Sequence, residues 1–193
     1  RHSYAFALTS PNLNLETPPG ISFPIPLTLR NTGTLPLTLE LHAASAHGWT
    51  TTPPAPLTLD AGEARSLALF VNVPAGAAAG SADILTLEAQ AQGADLPAQR
   101  LEITLTVLPE PQPELAVLMV PPYLPRGGRA TMGVGVINHG NLRDTLVVEV
   151  HTANPLNAVP DPGCAAITLD PGAGTNCPLF LSAPLSTDKG SYT

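Results

Sequence analysis

From Ile21 to Arg30 the chain sets Ile21, Phe23, Ile25, Leu27 and Leu29 at every second position, the period of a strand with one face buried. Pro24 and Pro26 fall on the opposite face. Proline has no N–H to give to a ladder, so this part of the strand is expected at an edge, or with its nitrogens turned away from its partner. After Asn31-Thr-Gly-Thr34 the alternation resumes at Leu35, Leu37, Leu39 and Leu41, which predicts a hairpin. Ahead of these, Tyr4 to Thr9 reads as an edge strand, followed by a turn at Ser10 to Asn12 and a short alternation at Leu13 and Leu15. Further on, Ile84 to Gln90, phased on Ile84, and Leu101, Ile103, Leu105 and Val107 predict a long strand pair.

Between these lies a stretch that the chain writes twice. Leu57 to Gly80 returns as Ile167 to Gly190, with Thr58, Leu59, Asp60, Gly62, Leu69, Phe70, Pro74 and Gly80 recurring as Thr168, Leu169, Asp170, Gly172, Leu179, Phe180, Pro184 and Gly190 at a constant offset of 110 residues. Each copy reads as a short strand, a glycine-containing turn, an alternating strand and a proline-led loop, hence as an antiparallel hairpin. Upstream, Pro18, Gly20, Asn31 and Gly33 recur as Pro125, Gly127, Asn138 and Gly140 at an offset of 107. The second copy therefore carries three more residues in the loop that holds Trp49 in the first, where its counterpart is Leu156 or Val159.

A tandem of related modules follows. The 193 residues divide into two of roughly 100, the usual size of an immunoglobulin-like β-sandwich. The expected architecture is all-β: residues 1–108 form the first sandwich, the proline-rich 109–113 a stiff linker, and residues 114–193 a second, truncated sandwich. Thr193 corresponds to position 83 of the first module, so the second lacks equivalents of the strands beyond it. A sandwich ending there would leave an open ladder and an uncovered apolar face. The native chain is therefore expected to continue past Thr193 with two further strands, or to be completed by a strand from another subunit.

Composition narrows the function classes. Charged residues make up 12% and hydrophobic residues 44%, with 23 Pro and 16 Gly, a profile of many short strands rather than disorder. A net charge of −7 without a basic, aromatic-lined stripe excludes nucleic acid as an expected partner. No apolar run approaches the length of a membrane span. The chain opens RHSYAF, with neither an initiator Met nor a signal peptide, as expected of a processed or excised piece.

Cys164 and Cys177 are the only cysteines. They flank one predicted hairpin, and a disulfide between them would contribute about 3 kcal/mol through the unfolded state and imply export. The alternative is a pair of buried thiols. A zinc site is not expected, since no second ligand pair lies nearby. Trp49 is the only tryptophan; it reads as a plug at the sandwich end rather than as a sugar-stacking platform, because no second aromatic lies close in sequence. His2, His42, His47, His139 and His151 stand in loops or at strand ends without ligand-spaced partners, and Asp60, Glu63, Asp161 and Asp170 are turn carboxylates. No catalytic, cofactor-binding or metal-binding constellation is found. The structural positions expected to matter are Trp49, Gly62, Pro74, Gly80, Gly172, Pro184 and Gly190.

Asn31-Thr-Gly33, Gly48-Trp49, Leu59-Asp-Ala-Gly-Glu63, Val71-Asn-Val73-Pro74 and Ala79-Gly80 together resemble the immunoglobulin-like family first described beside carbohydrate-binding modules in α-galactosidases. The resemblance covers Ile21 to Leu108. The second module, without the tryptophan and with Ala173 where the first has Glu63, resembles the same family or the related cell-adhesion-type bacterial repeats. What the resemblance implies is an extracellular, non-catalytic sandwich with no catalytic residues to carry over. The expected role is a structural or interaction segment of a larger secreted or cell-surface assembly, with other domains of the same chain or envelope subunits as partners. An accessory module of a glycoside hydrolase, with carbohydrate as ligand, and an adhesin segment are the alternatives.

Overall fold

The computed structural model describes residues 2–152, 156–186 and 190, and the chain is all-β, built as β-sandwiches. It divides into two units, Arg1–Pro109 and Glu110–Thr193. The first contains β1 (Phe6–Thr9), β2 (Asn14–Thr17), β3 (Ser22–Asn31), β4 (Leu37–Ser45), β5 (Thr51–Thr52), β6 (Leu57–Leu59), β7 (Ala64–Asn72), β8 (Ala82–Gln92) and β9 (Gln99–Val107). These form two sheets, ordered β1-β3-β7-β5 and β2-β9-β8-β4-β6. Among the described residues only the β2–β9 pair is parallel. Between the sheets lie Ile25, Leu27, Leu29, Leu39, Leu59 and Leu69 with Leu85, Leu87, Ile103 and Leu105, all fully buried. At about 1.5–3 kcal/mol per buried aliphatic side chain, this layer is the main source of the unit's stability.

The prolines of β3 sit where the ladder tolerates them. β7 runs beside the whole of β3, but β1 covers only Thr28–Asn31. The Ser10 hydroxyl donates to the Pro26 carbonyl at 2.9 Å, so Pro26 turns its carbonyl, and with it its nitrogen, toward the side that β1 leaves open. Two details of the alternation differ from expectation. Ile21 precedes β3 and is exposed, and Ile84 faces outward in β8. The inner face of β8 is carried by Asp83, Leu85, Leu87 and Ala89, one residue out of the expected phase.

Both expected hairpins are corrected by the sheet topology. β3 and β4 belong to opposite sheets, and so do β6 and β7. The turn chemistry explains the second case. Glu63 N–H donates to Asp60 O at 3.0 Å, and Gly62 has φ +78° while among the described residues no non-glycine has positive φ. Positive φ at the third turn position alone is the type II pattern, which splays its flanking strands instead of matching their twist. The chain consequently crosses from one sheet to the other.

A buried asparagine ties the two crossovers together. Asn31, fully buried, donates through Nδ2 to Leu35 O at 2.8 Å and Leu59 O at 3.0 Å, and accepts from Gly33 N–H at 2.9 Å. Its own N–H donates to Glu63 O at 2.9 Å. The Leu35 and Leu59 carbonyls lie where the chain changes sheet, and the side chain supplies a partner to both.

The second unit contains β10 (Pro113–Met119), β11 (Arg129–Asn138), β12 (Asp144–Leu146), β13 (Asn157–Pro160), a short 3-10 turn (Pro162–Cys164), β14 (Ile167–Leu169) and β15 (Gly174–Ser182). Its first sheet, β10-β11-β15-β13, repeats the order β1-β3-β7-β5. β12 and β14 repeat β4 and β6, again in the opposite sheet from β15. Asn138 repeats the buried latch, donating to Leu142 O at 2.8 Å and Leu169 O at 3.1 Å and accepting from Gly140 N–H at 2.9 Å. Among the described residues, no counterpart of β2, β8 or β9 is present in this unit. Glu110 O and Gln112 O accept from Asn141 and His139 N–H, as Ser3 O and Ala5 O accept from Thr34, Thr32 and Gly33 in the first unit.

Candidate functional site

One end of the first sandwich carries the most developed polar cluster. Asp83 opens the inner face of β8 and is fully buried. A carboxylate there has to be saturated with hydrogen bonds, and it is. Ser45 Oγ, at the end of β4, donates to its Oδ2 at 2.6 Å, and His47 N–H donates to Oδ1 at 2.9 Å. His47 Nδ1 lies 3.1 Å from the same oxygen. Because a carboxylate only accepts, Nδ1 carries the proton of this contact, and the ring is itself largely exposed.

These bonds fold the loop after β4 and place Trp49. Trp49 N–H donates to Ser45 Oγ at 2.8 Å, so the hydroxyl relays between the buried carboxylate and the loop. Gly48, at φ +72°, allows the chain to turn between them. The indole is half-buried, packed against the core on one side. Its centroid stands 6.3 Å from that of His47, with the rings tilted by 36°. Together with Pro74, Gly76, Ala77, Ser81 and Ala82 the two rings line an open cleft of roughly 280 Å³. Its walls are small and apolar, and a Cβ added at Gly76 would meet nothing. Chemically the cleft offers an aromatic face and an imidazole ring.

The other singled-out positions are scattered. Gly62, Gly80 and Gly172 take the left-handed conformation at turns, with φ of +78°, +76° and +75°. Pro74 lines the Trp49 cleft, whereas Pro184 and Gly190 lie exposed in the second unit. Residues 187–189, the end of the repeated stretch, lie outside those described, as do 191–193. Leu156 and Val159, the expected counterparts of Trp49, are only partly covered, with Val159 50% exposed on the outer side of its sheet. The disulfide joins Cys164 to Cys177 across 5.9 Å between Cα atoms, and both residues are buried. It does not bridge a hairpin: it ties the 3-10 turn, on the way to β14, to the middle of β15 in the opposite sheet.

Several other titratable groups form surface pairs. His139 Nε2 lies 2.6 Å from Glu114, and Arg100 donates to Glu88. Asp60 N–H and the Arg65 guanidinium both donate to Glu63 and hold its carboxyl below the usual range; the backbone contact is the larger cause. Among the described residues no three His, Cys, Asp or Glu side chains converge as metal ligands. Asp83 and Ser45, the core of the cluster, were not singled out in the sequence. An acid in phase with Leu85 and Leu87 was the available signal, hidden by phasing the strand on Ile84.

The family model described as the VWA7 Ig-like domain matches residues 8–109. No curated protein matches the sequence. Among solved structures, the chain is similar to a family 123 glycoside hydrolase from Clostridium perfringens at 10% identity and a TM-score of 0.42, covering 55% of this chain and 27% of that one. It thus spans about a quarter of that enzyme's length. The E. coli chaperone DraB aligns at 13% identity and a TM-score of 0.39, over 91% of this chain and 85% of the chaperone. The PapD-like domain 7 of human CEP192 aligns at 15% and 0.37, over 53% of this chain and 83% of that domain.

Proposed function

Through its first sandwich the chain belongs to the VWA7 Ig-like domain family, and we propose that it serves as a non-catalytic interaction segment of a larger secreted or cell-surface assembly. The observation that carries this reading is β10. At the end of this strand and just after it, Leu118, Met119 and Val120 are all more than half exposed, an apolar surface suited to contact with another protein surface. The Cys164–Cys177 bond supports an oxidising compartment. In this proposal the segment is organised as residues 1–108, a linker at 109–113 and a second sandwich within 114–193. The finer kinship, to the α-galactosidase-associated family, is part of this proposal and rests on the Asn31-Thr-Gly33 and Leu59-to-Glu63 motifs.

A second reading, an accessory module that holds carbohydrate, is favoured by the Trp49 cleft. A sugar ring stacks its C–H face on an indole and donates a hydroxyl to an imidazole nitrogen, and the cleft presents both. One experiment separates the two. The chain is passed over a panel of insoluble polysaccharides, beside Trp49→Ala, and material recovered from its native host is alkylated without reduction. No retention together with blocked cysteines is expected. Retention that vanishes with Trp49→Ala establishes the carbohydrate reading, and freely alkylated Cys164 and Cys177 refute export.

A further inference from the structure

The outer side of the sheet β10-β11-β15-β13 carries a groove of its own. Cys177 and Leu179 of β15 are buried in the core cluster with Val134 and Val136, so the alternate residues Phe180 and Ser182 point outward. The register extends this to both neighbouring strands: Thr131 and Val159 flank Phe180, and Arg129 and Asn157 flank Ser182. Directly opposed residues of an antiparallel pair share a face. Six outward side chains thus form two rows of three, about 6–7 Å apart along the strands. The first row centres on the Phe180 ring, and the second is polar and ends in a guanidinium. Together, with Ala130 and Leu181 between the rows, they line an open groove of roughly 360 Å³ in which Arg129 is the one charged group among the described residues. The face looks away from the core, so its exposure does not depend on the layer at the inner side.

Phe180 is also one of the residues that the chain writes twice. Other identities between the two copies have a structural reason in place. Leu59 and Leu169, like Leu69 and Leu179, are core residues, and Gly62 and Gly172 hold positive φ. Thr58 and Thr168 pair their hydroxyls with those of Thr38 and Thr145 at 2.8 and 2.9 Å. Phe70 and Phe180 instead point outward, 43% and 47% exposed, where packing does not call for a large ring. In the first unit Pro24 and Thr52 flank Phe70, and the next row holds Ser22 and Asn72, both neutral. The aromatic is common to both copies, whereas Arg129 stands in the second where the first has Ser22.

We propose that the groove on the outer face of β11, β15 and β13 binds a saccharide bearing a carboxylate, such as a hexuronic acid unit of an acidic glycan. The C–H face of the sugar ring stacks on Phe180, bounded by Thr131 and Val159. The row spacing of about 6–7 Å sets the Arg129 guanidinium beside a substituent at the rim of that ring, where it donates to the carboxylate as a charge-assisted, bidentate pair. Asn157 and Ser182 meet the ring hydroxyls. An apolar ligand would leave the polar row unused, and a neutral sugar would leave Arg129 unused. In a chain of net charge −7, a cation beside an exposed ring selects an anion. The groove is separate from the Trp49 cleft, which belongs to the other unit. So open a site holds one or two rings with a Kd on the order of 1 mM, and it is measured in solution rather than by retention on a solid.

The test is a titration of the 193-residue chain, followed by amide chemical shifts, with three probes: a galacturonate trisaccharide, its methyl ester, and a capped acidic peptide, Glu-Ala-Glu. The acid shifts the signals of Arg129, Thr131, Val159, Phe180 and Ser182. The ester and the peptide bind at least about tenfold more weakly, the share of one hydrogen bond to a charged group. Arg129→Gln lowers the affinity for the acid to that for the ester. Phe180→Ala abolishes the shifts and Phe180→Tyr keeps them, while Phe70→Ala and Trp49→Ala change nothing. No shift at about ten times the expected Kd overturns the proposal, and so do shifts that survive in Phe180→Ala or vanish in Phe180→Tyr. An ester that binds as well as the acid removes the role of Arg129, and a peptide that does so removes the saccharide; either result overturns the site as proposed. Shifts that vanish with Trp49→Ala assign the sugar to the cleft of the first unit, which overturns this groove and supports the carbohydrate reading of that cleft.

Discussion

Leu8 and Leu115 are the same residue type at the same position of homologous strands, and yet one belongs to a core and the other to a surface. The difference lies wholly in the opposite layer, which has five strands in the first unit and two, among the described residues, in the second. The second unit offsets its thin core with a covalent tie. Cys177, fully buried in β15, stands where the first unit has Leu67 in β7, and its bond to Cys164 fastens one layer to the other. The latches, by contrast, are shared. Asn31 and Asn138 make the same bonds because both chains change sheets at the same corner, whatever the size of the layer beyond.

The largest expected contrast is between the two leucines. Leu8→Ala should destabilise the first unit by about 3 kcal/mol, as truncations in packed cores do, whereas Leu115→Ala should change the second by less than about 0.5 kcal/mol. Denaturant unfolding followed unit by unit measures both, and equal losses would break the comparison. Removing the disulfide by Cys164→Ser with Cys177→Ser should cost the second unit about 3 kcal/mol, the scale for a loop closed over a separation of 13 residues. The first unit's transition should not move.

Asn31→Ala and Asn138→Ala should each cost their own unit about 2 kcal/mol, because two crossover carbonyls and one amide lose a buried partner. Similar values in the two units would show that the latch is independent of the layer it adjoins. The smallest effect concerns Glu63, replaced by Ala173 in the second copy. Its carboxyl is held low in the folded state, so its contribution is complete above about pH 5 and is lost as pH falls through the depressed value. Glu63→Gln should flatten the acid limb of the first unit's stability curve, and the second unit's curve should be unaffected.

Much of this was present in the one-dimensional pattern. The repeat located the strands of both units, the period of two placed Ile25, Leu27, Leu29, Ile103 and Leu105 inside, and the two cysteines announced their pairing. The polar cluster was only half legible. Trp49 stood out as a lone aromatic, but Asp83 passed unnoticed because Ile84 beside it offered an equally regular alternation in the opposite phase. In a strand with apolar residues at both parities, periodicity cannot choose the inner face.

Sequence alone determined the strands, the tandem of two modules and the residues that recur in both, because alternation, turn-forming glycine and internal likeness are properties of neighbours along a chain. Which strands pair was decided in three dimensions. A hairpin and a sheet-crossing corner share their length and composition, and differ in whether the turn at Gly62 or Gly172 keeps its strands together or splays them. Burial was likewise decided by tertiary structure, since the exposure of Leu115 depends on strands that its own segment does not contain.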